Sequence, residues 1–281
     1  MPGTLYLVPT PIGNLGDISK RMADTLAAAD FVAAEDTRVS IKLLNHLGLK
    51  KPMVSYHRHN TETGGQAVLA RLLAGESCAL VTDAGMPAIS DPGEELVRLC
   101  AENGVEVVPI PGPCALVCAL AASGLPTGRF TFEGFLPMNK KNRAAHLQSL
   151  LTEQRTMLFY EAPHKLSATL QDLRETFGAE RRVSLCRELS KLHEEVRRTT
   201  LGEAAAWYEA NGPKGEFVLV VEGACAPTED SPSEEDGLRL VEEYRSGGLS
   251  LKEAAKKASE MTGLSKNVLY NLALSHGGQG M

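Results

Sequence analysis

Short apolar runs alternate with amphipathic stretches along the first 124 residues of the chain. Continuous apolar runs are typical of buried strands, whereas apolar positions three or four residues apart are typical of helices. Strands are predicted at 5–8, 31–34, 53–57, 78–82 and 105–110, and helices around Ile18, Met22 and Leu26 and at 37–47, 62–74 and 114–123. Because strands and helices alternate, the pattern predicts an α/β domain over 1–124, with a parallel sheet covered on both faces.

The pattern changes after Leu125 and Pro126. Strands are predicted at 130–135, 156–161, 182–188, 195–201 and 216–223, and helices at 143–152, 164–176 and 202–210. Two of these strands, 182–188 and 195–201, follow each other directly, which predicts a hairpin and therefore antiparallel neighbours. We expect a second α/β domain over 125–225, built on a mixed sheet.

The end of the chain differs from both domains. Residues 226–236 are rich in Pro, Ser and acidic residues and are predicted to form an acidic linker. Residues 237–281 have helical spacing and predict a helical C-terminal module, with two helices on either side of Thr262 and Gly263 and caps at Ser250 and Ser265. A helix-turn-helix contact with nucleic acid is one interpretation. A small packing module is favoured, because the charges nearly cancel.

Several helix starts carry residues that cap helices. Asp36 precedes the helix at 37–47, and Thr61 precedes the helix at 62–74. Asp91, Pro92 and Glu94 together suit the cap, the first position and the reciprocal capping position of a helix that follows the fourth strand.

Three loops rich in Gly and Pro follow predicted strands of the first domain, at 9–14 (PTPIGN), 83–87 (DAGMP) and 111–113 (PGP). In open parallel sheets, ligands bind at the carboxyl ends of the strands. Glycine lets backbone approach a ligand, and proline holds a loop in shape. Three such loops at one edge predict a preformed small-molecule pocket, although each alone is compatible with ordinary turn chemistry.

The net charge of −6 disfavours nucleic acid at first sight, but the charge is unevenly distributed. Residues 226–236 carry five acidic residues, which leaves the remainder at −1. Residues 38–60 carry five cationic side chains, three histidines and no acidic residue. Such a stretch can bind phosphates, or it can be a solvated helix and loop.

Other compositional features narrow the class of protein. No apolar run approaches the ~18 residues of a membrane span, and the N-terminus lacks the pattern of a signal peptide, so we expect a cytoplasmic protein without membrane association. The six cysteines form no CxxC pair, which favours buried thiols over a metal site. The absence of GxGxxG, GxxxxGK[ST] and GxSxG disfavours the usual dinucleotide, P-loop and serine hydrolase sites.

Seven motifs in consistent order resemble the tetrapyrrole methylase superfamily: LYLVPTPIGNLGDIS (5–19), AEDTR (34–38), DAGMPAISDPG (83–93), PGPCA (111–115), FEGFLP (132–137), YEAPHK (160–165) and GEFVLVVEG (215–223). The resemblance is closest to the members that act on ribosomal RNA. It implies two αβα domains with an interdomain cleft, a homodimer, and S-adenosylmethionine as methyl donor without a metal. The implied substrate is 16S ribosomal RNA, within the small ribosomal subunit, methylated on a cytidine ribose 2′-oxygen in the decoding region.

The resemblance also implies which residues bind the donor. The sulfonium of the donor is cationic, so a carboxylate such as Asp83 can stabilise it, and its adenine needs apolar walls. The implied donor residues are Thr10, Pro11, Asp83, Gly85, Met86, Cys114, Ala115, Tyr160, Glu161, Ala162, Arg187, Glu188, Glu216 and Phe217.

A ribose hydroxyl must lose its proton during or after attack, so a proton acceptor is needed. The candidates are Glu35, Asp36, His57 and His164, and Arg38 is a candidate for an RNA or transition-state contact. Candidate phosphate contacts are Lys42, Arg58, Lys140, Lys141 and Arg143. Two rival functions remain open: a tetrapyrrole C-methyltransferase, and a protein that binds ribosomal RNA or the donor without chemistry.

Overall fold

The computed structural model describes residues 1–225 and 233–277. The chain forms two compact units, and it enters the first of them twice. The first unit comprises Met1–Cys118 together with Glu188–Glu194, and the second comprises Ala119–Arg187 together with Glu195–Met281. The boundary was predicted after residue 124, whereas the chain divides after Cys118. A short segment from the second half of the chain belongs to the first unit.

The first unit is built on five strands, which are parallel as predicted and lie in the order β3-β2-β4-β1-β5. Its elements are β1 (Thr4–Leu7), α1 (Lys20–Ala28), β2 (Phe31–Ala34), α2 (Thr37–His46), β3 (Met53–Ser55), α3 (Thr61–Leu73), β4 (Cys78–Val81), α4 (Glu94–Glu102), β5 (Glu106–Pro109) and α5 (Ala115–Ser123), whose second half lies in the second unit.

Alternating side chains of the strands cover both faces of this sheet. On one face, Phe31 and Leu80 pack with residues of α3 and α4. On the other face, Val32 and Ala79 pack with residues of α1 and α2. β1 and β4 are neighbours, and the helices after them lie on opposite faces of the sheet, so the chain directions separate beyond the carboxyl ends of these two strands. This arrangement is where open α/β sheets bind ligands.

Asp36 caps α2 as predicted, since its side chain accepts a hydrogen bond from the Arg38 N–H. Two other caps were predicted wrongly. Thr61 is the first residue of α3 rather than its cap. The helix α4 begins at Glu94, with Gly93 at the cap position and a φ of 153°, so Asp91 does not cap it. Left-handed backbone at Ala88 and Ser90 turns the loop before the helix starts, which separates Asp91 from the helix.

The second unit contains a mixed sheet in the order β6-β7-β10-β8-β9, in which β6 and β7 are parallel and the other neighbours are antiparallel. The predicted hairpin is formed by β8 and β9. Its elements are β6 (Phe130–Phe135), α6 (Lys140–Ser149), β7 (Thr156–Glu161), α7 (Pro163–Phe177), β8 (Arg182–Arg187), β9 (Glu195–Thr200), α8 (Leu201–Asn211) and β10 (Phe217–Val221). Side chains of α7 and α8 pack on this sheet around Met157 and Phe159.

Among the described residues, the C-terminal module contains three helices: α9 (Glu234–Ser246), α10 (Leu251–Thr262) and α11 (Lys266–Gly277). The last two are the pair predicted on either side of Thr262 and Gly263, and α9 precedes them. Ser233 and Asp236 form a capping box, so the last part of the predicted linker is the first turn of α9. Residues 226–232 and 278–281 lie outside the described residues. Ser250 caps α10 as predicted, but the Ser265 hydroxyl has no hydrogen-bond partner.

The module has a small core of its own, which includes Val241, Leu269 and three alanines of α10. A Cβ at Gly237 would lie 2.6 Å from side-chain atoms of both Leu264 and Leu269. Glycine at this position therefore allows α9 to approach the end of α10 and α11 closely. The module is thus a packed three-helix unit.

Candidate functional site

The first two Gly/Pro loops are joined by backbone hydrogen bonds at the carboxyl edge of the first sheet. The Thr10 N–H donates to the Gly85 carbonyl at 2.9 Å, and the Gly85 N–H donates to the Thr10 carbonyl at 3.0 Å. The buried Thr10 hydroxyl also donates to the Thr82 carbonyl at 3.0 Å. Two residues implied in donor binding, Thr10 and Gly85, are therefore held together.

The third loop packs against the first two at two glycines, Gly85 and Gly112. Gly85 has a φ of 91°, and a Cβ there would lie 3.4 Å from Ile12 Cγ2 and 3.9 Å from the Pro113 carbonyl oxygen. A Cβ at Gly112 would lie 2.5 Å from Pro9 Cγ. The three loops lie in contact, as the sequence predicted, and the contact at Gly112 depends on the missing side chain.

Four carboxylates follow the neighbouring strands β2 and β4. Glu35 accepts a hydrogen bond from the Thr82 hydroxyl at 2.8 Å. Asp83 accepts from the Asp36 N–H at 3.2 Å. Asp91 is half-buried in the segment between the second loop and α4, and the charges of Glu35 and Asp83 act on it. The edge of the sheet beside the loops therefore carries an acidic cluster, which is Glu35, Asp36, Asp83 and Asp91.

The members of the acidic cluster differ in their affinity for protons. Burial raises the pKa of Asp91 to about 6; nearby Glu35 and Asp83 add to this effect, and Arg58 opposes it. Burial also raises the pKa of Asp83, and the negative charge of Glu35 raises it further. By contrast, hydrogen bonds from the Arg38 side chain and backbone lower the pKa of Asp36 to about 2.

These surroundings separate the residues proposed for catalysis. The Arg38 guanidinium donates to both carboxylate oxygens of Asp36, at 3.0 Å from Nε to Oδ1 and 2.6 Å from Nη2 to Oδ2. Asp36 is thus a helix cap and an ion-pair partner, and a carboxyl with a pKa of about 2 is a weak base. Arg38 keeps an exposed side chain.

The two candidate histidines lie in different settings. His57 is half-buried between β3 and α3, and its Nδ1 accepts from the His59 N–H at 3.3 Å. His164 is exposed in the first turn of α7.

The sequence did not mark Asp91 as a functional residue, because the following Pro and Gly suggested a helix cap. In the folded protein, its surroundings raise its pKa. The Arg58 side chain donates to the Ser90 carbonyl, next to Asp91, and links the β3–α3 connection to the segment between the second loop and α4. A carboxyl with a raised pKa beside a candidate ligand loop is a functional-site signal, and only the three-dimensional environment reveals it.

The residues proposed for RNA contact differ in how accessible they are. Lys42 is exposed on α2, and Lys140 and Lys141 are exposed in the first turn of α6 rather than in a loop. The predicted loop is replaced because Asn139 caps α6 three residues earlier than expected, accepting hydrogen bonds from two backbone N–H groups. The Arg143 guanidinium is paired with Asp172, and only 15% of its side chain is exposed. Arg143 therefore stabilises the packing of α6 on α7.

The implied donor residues of the second unit share one end of its sheet. Phe217 is in register with Glu161 on one side and with Arg187 on the other. The buried Glu161 accepts hydrogen bonds from the Ala162 N–H at 2.8 Å and from the Thr169 hydroxyl at 2.5 Å. Glu161 therefore fixes the start of α7, which positions Ala162.

The remaining implied donor residues are placed as follows. The Tyr160 ring contacts the Phe132 ring, with 4.9 Å between centroids. Arg187 Nε donates to Glu195 Oε2 at 3.2 Å. Glu188 lies in the segment that belongs to the first unit. Half-buried positions are occupied by Pro11, Met86, Cys114 and Ala115, and Glu216 is exposed.

Within residues 1–225 and 233–277, no group of three or more His, Cys, Asp or Glu side chains is arranged to hold a metal ion. In the same part of the chain, no helix combines the length and the apolar character that crossing a membrane requires.

Comparison with known proteins gives a family match over most of the chain. Residues 4–205 match the family model described as Tetrapyrrole (Corrin/Porphyrin) Methylases. Residues 231–277 match a second model, described as the RsmI C-terminal HTH domain.

Curated relatives align over nearly the whole length. A protein from Synechocystis sp. is 49% identical over 272 residues, which are 97% of this chain and 98% of that protein. A protein from Escherichia coli O157:H7 is 46% identical over 278 residues, 98% of this chain and 96% of that protein. Both are named Ribosomal RNA small subunit methyltransferase I.

Solved structures share the fold at low sequence identity. The cobalamin biosynthetic enzyme cobalt precorrin-4 methyltransferase is 19% identical with a TM-score of 0.56, covering 77% of this chain and 94% of that chain. Uroporphyrin-III C-methyltransferase from Thermus thermophilus, in complex with S-adenosyl homocysteine, is 18% identical with a TM-score of 0.53, covering 78% and 97%.

Proposed function

This chain belongs to the tetrapyrrole (corrin/porphyrin) methylase family, and from that premise we propose that it methylates small-subunit ribosomal RNA. The methyl donor in this proposal is S-adenosylmethionine. The acceptor is the ribose 2′-oxygen of a cytidine in the decoding region of 16S ribosomal RNA. The full-length relatives named for methylation of this RNA support the proposal, and so does the match of the last helices to a domain model from the same group.

The observation that carries the chemistry is the junction of the three loops beside the acidic cluster. The reciprocal hydrogen bonds between Thr10 and Gly85 make the first two loops one rigid element. The donor supplies an activated methyl group on a cationic sulfonium. Asp83, whose pKa is raised by burial and by Glu35, gains from a cation that relieves this repulsion. The half-buried Met86 and Ala115 provide apolar surface for the adenine.

The acidic cluster also provides a proton acceptor, and we assign this role to Asp91. In the transfer, the carbon–sulfur bond of the donor would break as the bond from carbon to the 2′-oxygen forms, and S-adenosylhomocysteine would leave with a neutral thioether sulfur. The hydroxyl proton passes to the Asp91 carboxylate. A base is most effective when its pKa lies near the working pH. With a pKa of about 6, Asp91 meets this condition and Asp36, at about 2, does not.

The RNA side of the proposal rests on exposed cations. Arg38 and Lys42 lie exposed on α2, which starts at the same sheet edge as the acidic cluster. Lys140 and Lys141 are exposed on α6. The three-helix module adds a further candidate RNA contact. The proposal also includes an assembled small subunit as the working substrate, a homodimer and a cytoplasmic location.

The deciding experiment supplies tritiated S-adenosylmethionine with three acceptors: small ribosomal subunits that lack the modification, protein-free 16S ribosomal RNA, and uroporphyrinogen III. Label in the RNA, mapped to a cytidine 2′-oxygen by nuclease digestion and mass spectrometry, is the expected result. Label in the tetrapyrrole would move the chain to the biosynthetic branch of its family. Donor binding without label in any acceptor would refute an enzymatic function.

A further inference from the structure

The turn between β8 and β9, residues 188–194, is part of the first unit although both strands belong to the second. It contains two of the four described non-glycine residues with positive φ, Glu188 at 51° and Ser190 at 63°. Side chains with a Cβ rarely adopt this conformation, and such strain clusters at functional sites. Packing of a surface turn alone does not require it.

Hydrogen bonds fix the strained turn in place. The Lys191 N–H donates to the Glu188 carbonyl at 3.0 Å, and the Glu194 N–H donates to the Lys191 carbonyl at 3.2 Å. The Ser190 N–H donates to Glu194 Oε2 at 2.6 Å. The Ser190 hydroxyl is buried without a hydrogen-bond partner, which is a second unfavourable feature in the same turn.

The turn places the Lys191 side chain against the first Gly/Pro loop. A Cβ at Gly13 would lie 2.2 Å from Lys191 Cγ and 3.1 Å from Cδ and Cε, so the lysine chain runs along the glycine. Lys191 Nζ donates to Glu188 Oε1 at 2.9 Å, and 29% of the lysine side chain is exposed. The stem and the ammonium are both held, at a position two residues beyond Pro11.

The surroundings favour a large substrate at this position. Thr10 is buried, whereas Gly13, Asn14 and Leu15 of the same loop are exposed. On the turn, Leu192 is almost fully exposed. Lys191 therefore lies where the loop passes from the inner, donor-side residues to open surface.

We propose that Lys191 is a substrate-positioning residue that binds a backbone phosphate of the RNA next to the target ribose. This inference rests on the proposed function. An ammonium is a compact cation with three donors, and a phosphate oxygen can join Glu188 as its acceptor. This role accounts for the strained turn and for glycine at position 13, because both determine where the ammonium lies relative to the first loop. The carboxylate of the donor is the other anion that a lysine here could bind, and the experiment separates the two.

The experiment compares Lys191→Met and Lys191→Arg with a matched control, Lys20→Met, which removes an exposed lysine of α1. Phosphate binding predicts that Lys191→Met raises KM for small subunits about tenfold, the loss of one charge-assisted contact. The salt dependence of KM should lose about one phosphate contact. Lys191→Arg should keep most of the affinity, Lys20→Met should match the wild type, and the donor Kd should not change.

Gly13→Ala provides an independent variant. It keeps the Lys191 ammonium, but its added Cβ would occupy the space that the Lys191 side chain fills. It should raise KM as Lys191→Met does, with thermal unfolding confirming a folded protein. Unchanged KM and salt dependence in Lys191→Met would overturn the inference. A donor Kd weakened as much as KM would assign the lysine to the donor instead, and loss of kcat in Lys191→Arg would indicate proton chemistry. Failure of the wild-type protein to label RNA would reject the proposed function itself, which is a separate outcome.

Discussion

Replacing Asp91 by Asn tests the proton acceptor with the smallest change of shape. The amide cannot accept the hydroxyl proton, so the loss of general-base assistance should lower kcat by about 10²–10⁴-fold. The wild-type rate should rise with pH through about 6, where the Asp91 carboxyl ionises. The variant should lose this rise in kcat/KM.

The same substitution should stabilise the folded protein at pH 7. The native state holds the Asp91 proton more tightly than the unfolded chain does, since its pKa is raised from 3.8 to about 6. Ionisation therefore lowers the free energy of unfolding as pH rises from about 4 through about 6. At about 1.36 kcal/mol per pKa unit this is about 3 kcal/mol, which solvent screening of a half-buried group reduces to about 1–2 kcal/mol.

The assay combines both effects. Initial rates on small subunits with tritiated donor are measured over a range from about pH 5 to about pH 9. Urea unfolding is followed at about pH 7 and about pH 4. Asp24→Asn, an exposed carboxylate on α1, serves as control for the loss of a negative charge. The expected variant is slower and more stable at pH 7, with the stability difference fading at pH 4. Wild-type activity with an unchanged pH profile would refute the catalytic role, and a destabilised variant at pH 7 would refute the electrostatic reasoning.

Three further predictions follow from the site and the module. Asp83→Asn should weaken donor binding by about tenfold, the value of about 1.4 kcal/mol in calorimetry, while thermal unfolding stays cooperative; an unchanged Kd would remove Asp83 from the donor site. Gly112→Ala should lower both donor affinity and Tm, because its Cβ would lie 2.5 Å from Pro9 Cγ, and a wild-type Tm would show that the first and third loops can separate freely. Removal of residues 226–281 should raise KM for subunits and leave the donor Kd unchanged, since the module has its own core; equal rates on subunits after truncation would exclude a substrate role for the module.

The strands were predictable because they coincide with short runs rich in apolar and β-branched residues. β6 and β7 begin and end where the sequence placed them, at 130–135 and 156–161. The parallel direction of the strands in the first sheet also followed from the alternation of strands and helices, whereas their order did not. Local pattern determines these features, and the packing of the sheets agrees with it.

The errors concern features that tertiary structure decides. Asp91 has the local sequence of a helix cap, but left-handed Ala88 and Ser90 and the unusual Gly93 place the helix start two residues later than predicted. Its raised pKa depends on burial and on Glu35, which is 56 positions away in the chain. The contact between Lys191 and Gly13 joins residues that no periodicity relates. The sequence therefore predicts the loops of the candidate site but not the contacts of Asp91 and Lys191, on which the proposed roles of these two residues depend.

The first unit consists of two separate segments of the chain, and this affects the order in which its parts become available during synthesis. β1 is synthesised first, yet its sheet neighbours β4 and β5 begin only at Cys78 and Glu106. A nascent chain must therefore keep β1 unpaired while about 70 residues emerge, a delay typical of non-local topologies. The turn at 188–194 arrives later still. The first unit thus receives its last segment only after most of the second unit's sheet has been synthesised, and a fragment cut at residue 118 would lack the lysine that lies over its own glycine.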